Sequence, residues 1–175
     1  MSLLSFPPTM FSLLAPTDDD VRLLVATQKD LPFPYPDPGA TRAEAVPGGF
    51  RPLHHRVQLG AGKTAYERAR HALRSWRMFR MPWVRLYWLD VQQEPGAVAI
   101  VAAHGGGLWT LNACRVVYAV DQTGPVETFG FAYGTLPQHV ERGEERFLVQ
   151  WDHADDTVWY DLLSFSRPGH PLARL

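Results

Sequence analysis

Apolar and polar positions follow two different periods along the chain, and the change falls near Pro82. Thr17 precedes Asp18, Asp19 and Asp20, and Val21, Leu24 and Val25 then recur at helical spacing. An N-cap, an acidic first turn and an apolar stripe predict a short helix over 18–29. Pro32, Pro34, Pro36 and Pro38 stop it, because each removes a backbone donor and pushes the residue before it into extended geometry. Residues 31–49, closing on Pro47-Gly48-Gly49, therefore read as a polyproline-like arm. A strand is expected near 53–59. From Thr64 to Phe79, Tyr66, Ala69, Leu73 and Trp76 share one face while Lys63, Arg68, Arg70, Arg74 and Arg77 fall elsewhere, which predicts an amphipathic helix with a basic outer side.

Beyond Pro82 the period shortens to two. Runs rich in valine and aromatic residues, bounded by Gly, Pro, Asp and Asn, predict strands near 83–91, 97–104, 113–121, 127–136, 144–151 and 157–165. The turns between them are expected at Glu94-Pro95-Gly96, Gly105-Gly106-Gly107, Gln122-Thr123-Gly124-Pro125, Arg142-Gly143 and Ala154-Asp155-Asp156. Links this short join antiparallel neighbours. The expected fold class is α+β: a curved antiparallel sheet of about seven strands, one main helix between strands 1 and 2, and a short N-terminal helix. Such a sheet must be covered or closed, so the architecture is read as helix-grip-like, with a small closed β-barrel as the alternative.

Composition narrows the functional classes. At 175 residues the chain fits a single domain, 1–175, with its core in 50–175. A net charge of −1 supplies no field to gather nucleic acid, so no such partner is expected. The single cysteine, Cys114, excludes an intrachain disulfide and a cysteine-based zinc site, and fits a cytoplasmic location. No apolar run is long enough for a transmembrane segment. Oligomeric state stays open.

Several longer segments are distinctive: DLPFPYPDPGAT, HHRVQLGAG, WRMF and PWVRL, LNACRVVY, GFAYGTLPQHVERGEERF and FSRP. Together they resemble the family catalogued as domain of unknown function 1990 (DUF1990), over nearly the whole chain from Met10. Members begin near the residue matching Met10, which implies that residues 1–9 are a mis-assigned start. Members also continue past the FSRP segment into a further helix, which is absent here, so that either the 18–29 helix covers the sheet, or the sheet is a barrel, or the chain is shortened. The family brings no established activity, so whether the protein is an enzyme stays undecided. By strand order it is similar to START and Bet v 1-like ligand carriers, an analogy of fold and not of function.

The candidate chemistry lies in GFAYGTLPQHVERGEERF. Alternation puts Phe129, Phe131, Tyr133 and Thr135 on one face and Gly130, Ala132 and Gly134 on the other, where room is left for a close approach. The expected function is binding of a small hydrophobic or amphipathic molecule in an apolar pocket. Trp83, Tyr87, Phe131, Tyr133 and Trp159 are the expected walls, and Thr135, Arg115 and Glu145 the polar contacts. Glu144 and Glu145 are expected on opposite faces, with Arg115 pairing the inward one. One alternative is an enzyme using His139 and Glu145 as acid and base near Tyr133. Another is a protein or membrane-surface interaction module that uses the arm and the basic helix, through Arg70 and Arg74.

The remaining motifs read as structural. Cys114 is expected to be a buried strand residue. His54-His55, His104 and the turn at 152–156 lack a metal-ligand spacing, and no metal or cofactor is expected. Gly60-Ala61-Gly62-Lys63-Thr64 resembles a phosphate loop, but Val57 stands where that loop needs glycine, so it reads as a turn entering a helix.

Overall fold

The computed structural model describes residues 11–87 and 92–170; the expectations for residues 1–9 and for the strand beyond Tyr87 lie outside them. The elements run β1 (Phe11–Ser12), α1 (Asp18–Gln28), β2 (Arg51–Ala61), α2 (Gly62–Arg74), β3 (Val84–Tyr87), β4 (Val98–Gly105), β5 (Leu108–Gln122), β6 (Val126–Thr135), β7 (Glu141–Asp152) and β8 (Thr157–Pro168). All the strand pairings are antiparallel, in the order β2-β8-β7-β6-β5-β4-β3, with β1 paired to the start of β5. The sheet is open. β2 and β3 stand at its two ends and do not pair with each other, so the described strands do not form the closed barrel considered above.

Each face has its own cover. On one face lie Cys114, Val116, Phe129, Phe131, Tyr133, Phe147, Val149 and Val158, packed under Tyr66, Leu73 and Trp76. α2, which delivers Tyr66 and Leu73, ends at Arg74, short of the expected Phe79. Trp76 takes a left-handed backbone (φ 52°) that turns the chain into a 3-10 turn over Arg77–Phe79. Its indole then lies 4.7 Å from the Phe131 ring. A bulky residue at positive φ is strained, and the burial of this indole is what holds it there.

The opposite face is covered by α1 and the arm. Thr17 caps α1 with a box in which Asp20 reaches back to the Thr17 amide, as the acidic first turn predicts. Val21 and Leu24 pack on Ile100, Ala102, Leu111, Ala113 and Leu136. The arm is not an extended polyproline run. It bends into a 3-10 turn at Ala40–Ala43 and lays Phe33, Tyr35 and Phe50 against Phe165. The space left by small residues on β6 is therefore occupied by the arm: a Cβ on Gly134 would stand 1.9 Å from Tyr35 Oη and 2.9 Å from the Phe33 ring.

The expected turn at Arg142-Gly143 is also corrected. The chain reverses at Pro137–Val140, and Gly143 lies inside β7. A side chain there would meet the Phe165 carbonyl at 1.9 Å, so this glycine serves close strand approach. The start of α2 holds no phosphate-loop geometry: the Gly62 amide donates to the Asp156 carbonyl, and the Asp156 carboxylate lies beside it.

Candidate functional site

Strand register places a row of side chains across the α2 face. Val116, Tyr133, Glu145, Ser164 and Leu53 are successive partners on β5, β6, β7, β8 and β2. One step toward α2 runs Phe131, Phe147, Leu162 and His55. One step the other way lie Gly143, Ser166 and Arg51. The face is thus apolar under α2 and becomes polar where β6 ends in the Pro137–Val140 turn.

At that polar end is a cavity of about 160 Å³, whose lining includes Tyr133, Thr135, His139, Glu141, Glu145, Ser164 and Ser166. At roughly 30 Å³ per water it holds about five waters, enough for a head group and not for a large molecule. Tyr133 and Thr135 are 8% and 6% exposed, and Tyr133 donates to Glu145 Oε2. Burial raises the Glu145 pKa, Glu141 adds to the effect, and the Tyr133 hydrogen bond opposes it. Burial also pushes the His139 pKa down to about 4. Its Nδ1 accepts the Glu141 amide at 2.9 Å, so the ring is neutral and its proton sits on Nε2. Thr135 Oγ1 accepts the Gly143 amide at 3.0 Å.

The residues expected to share one pocket are not all brought together. Tyr133, Thr135 and Glu145 meet, joined by His139. Phe131 is wholly buried among Trp76 and Phe147. Trp83 is 55% exposed. Tyr87 lines a separate cleft of about 530 Å³ with Trp76, Phe79 and Leu86, and its hydroxyl donates to the Pro16 carbonyl.

Trp159 and Arg115 point to the arm face. The Trp159 ring lies under Arg56, and Arg115 donates to the carbonyls of Lys29 and Leu31 while stacking over Phe33 at 4.3 Å. Arg115 therefore does not pair with Glu145; alternation sends the two side chains through opposite faces. The Tyr133 hydroxyl takes that place. Ser164 and Ser166 were not anticipated. Their alternation with Leu162 was visible, but nothing local said that β8 pairs with β7 in the register that sets them beside Glu145.

The other motifs are accounted for by contacts. Burial drives the Cys114 thiol well above its ordinary pKa, which leaves it a poor nucleophile. His54 bonds Asp161 at 2.9 Å, and His104 stacks on Trp109. No three His, Cys, Asp or Glu among the described residues are grouped to hold a metal. Arg70 and Arg74 both reach Asp121, which neutralises part of the basic side of α2. No described helix is long and apolar enough to cross a membrane.

Comparison with known proteins agrees with the resemblance seen in the sequence. A UPF0548 protein of Deinococcus radiodurans is 36% identical over 175 residues, covering 94% of this chain and 86% of that one. A UPF0548 protein of Dictyostelium discoideum is 31% identical over 184 residues, covering 95% and 85%. A hypothetical protein of Helicobacter pylori of solved structure is 12% identical, with a TM-score of 0.44 over 83% of this chain and 84% of that one. The family model described as a domain of unknown function, DUF1990, matches residues 34–175, and the chain belongs to that family.

Proposed function

We propose that the protein binds a small amphipathic molecule on the α2 face, with its polar end in the Tyr133–Glu145 cavity and its apolar part along β8 and β2. The observation that carries this reading is the register itself. Beside the cavity, Leu162 and Tyr160 are half-buried, and on β2 Leu53, opposite Ser164, and Val57, opposite Tyr160, are 48% and 54% exposed, with His55 between them opposite Leu162. Large apolar side chains aligned on one sheet face beside a polar recess are suited to a ligand with two ends. The strand order, with α2 laid across this face, is what supports a helix-grip reading of the architecture.

Native mass spectrometry of gently purified protein and tryptophan-fluorescence titration with eight-carbon amphiphiles test the reading. A retained small molecule, or saturable binding weakened by Leu162→Asp, supports it. A clean apo mass together with no saturable binding removes it.

A second reading is acid–base catalysis, favoured by the meeting of His139, Glu145 and Tyr133 at one cavity with pKa values displaced in opposite directions. Turnover of substrates found in a metabolite screen that is unchanged in both His139→Ala and Glu145→Ala excludes it.

A further inference from the structure

The hydrogen bonds around the cavity determine where its protons lie. With Nδ1 of His139 accepting the Glu141 amide, the ring proton is on Nε2, which has no partner among the described residues. With Oε2 of Glu145 accepting from Tyr133, a proton carried by that carboxyl belongs on Oε1, which is likewise unpartnered among the described residues. Thr135 Oγ1 accepts the Gly143 amide, so its hydroxyl hydrogen is free to be donated. Three groups able to donate, from three separate segments, therefore border one space of about 160 Å³, Glu145 donating when its carboxyl is protonated.

The charges around that space are one-sided. The titratable groups facing Glu145 are Tyr133 on β6, Cys114 on β5, Tyr160 on β8 and Glu141 on its own strand, with His139 at the turn. None is a cation in the folded state, and no Lys or Arg among the described residues lines the cavity. On β2, one strand further out, Arg51 stands opposite Ser166 and His55 opposite Leu162 on this face, and neither lines the cavity. An anion entering here would meet Glu141 and find no counter-charge. A neutral oxygen acceptor would meet donors that otherwise lack partners.

We infer that the cavity takes the carbonyl oxygen of a neutral ketone or ester, which accepts hydrogen bonds from Glu145 Oε1 and His139 Nε2. This rests on the binding function proposed above and names its head group. Tyr133 holds the carboxyl in place and leaves Oε1 as the donating atom. Burial keeps that carboxyl protonated further up the pH scale than an ordinary glutamate.

Three eight-carbon probes separate the alternatives: 2-octanone, octanoate and octylamine, titrated against the whole chain at several pH values. 2-Octanone is expected to bind about tenfold tighter than either charged probe, with its carbonyl stretch shifted to lower frequency. Its affinity should fall as pH rises through the folded-state titration of Glu145. Glu145→Gln, which keeps a neutral donor, should retain affinity and lose that pH dependence. Glu145→Leu should lose about tenfold, thermal unfolding showing that both variants fold.

Tighter octanoate or octylamine, or ketone affinity indifferent to Glu145→Leu, overturns the inference. If all three probes bind alike and all weaken in Leu162→Asp, the amphiphile site stands and the carbonyl assignment falls. If none binds, both fall.

Discussion

Glu144 and Glu145 are neighbours on β7 that face opposite sides of the sheet and live under opposite conditions. Glu144 accepts from Tyr35, from the Gly39 and Thr41 amides and from the Thr41 hydroxyl, so all its bonding capacity serves the arm. Next to it, Arg146 donates to the Thr41 carbonyl and to Asp161. Burial works against the Asp161 charge, but the bonds from His54 and Arg146 outweigh it and hold that carboxyl below its usual range. Glu145 has one neutral partner and an open oxygen at a cavity. A buried carboxylate satisfied on all sides is a structural joint; one left half-satisfied keeps bonding capacity for something else. Apart from Arg146 Nε, buried without a partner among the described residues, the arm face is finished, and the α2 face is not.

Substitutions can break this contrast, beginning on the finished face. Glu144→Ala leaves the buried Thr41 amide, the partly buried Gly39 amide and two hydroxyls without their acceptor, and is expected to cost about 4 kcal/mol in urea unfolding. Glu144→Ala as stable as wild type would show that the arm is held by its aromatic rings alone. Gly134→Ala forces the arm away from the sheet, since the added methyl overlaps Tyr35; a loss of about 3 kcal/mol is expected.

His139 gives a pH test. Its folded-state pKa lies below the unfolded value, so the folded state resists protonation; stability should be lost as pH falls from about 6.5 through about 4. The loss is on the order of 2 kcal/mol, and His139→Gln should flatten the slope over that window. Arg115→Met removes two bonds to carbonyls of the arm and should cost about 1.5 kcal/mol without altering probe binding at the cavity. A loss of binding instead would return Arg115 to the ligand site.

The smallest expected effect is on the unfinished side. The folded-state pKa of Glu145 is raised, so the folded state holds its proton more tightly than the unfolded chain does. Stability is then lost as pH rises from the ordinary carboxyl range through the raised value. Glu145→Gln should match wild type near pH 4 and be the more stable of the two at pH 8, measured by urea unfolding at both pH values. Equal stability at both pH values would mean that the fold does not raise the pKa of this carboxyl.

Much of this was legible in local pattern. The α1 cap, the apolar face of α2, the short turns and the opposed directions of Glu144 and Glu145 all follow from residues a few positions apart, where spacing and side-chain chemistry act directly. The failures have a common cause. Arg115 was assigned to Glu145 because the two strands were expected to be near, yet a one-residue offset in register reverses the face. Trp159 was misplaced for the same reason. The Arg142-Gly143 turn was read from glycine's usual role, whereas Gly143 is needed for contact with Phe165, far along the chain. Trp76 ended α2 early because a tertiary contact with Phe131 outweighed helical continuation.

By itself the sequence determined the family, the antiparallel α+β class and the existence of a polar turn rich in hydroxyl and carboxyl groups, since these depend on composition, period and short-range spacing. Only the tertiary structure decided which of those groups meet. Strand register sets the face, the arm consumes one glutamate, and the packing of Trp76 and Phe79 leaves the other facing a small cavity. Those outcomes depend on contacts between residues tens of positions apart, which no local pattern encodes.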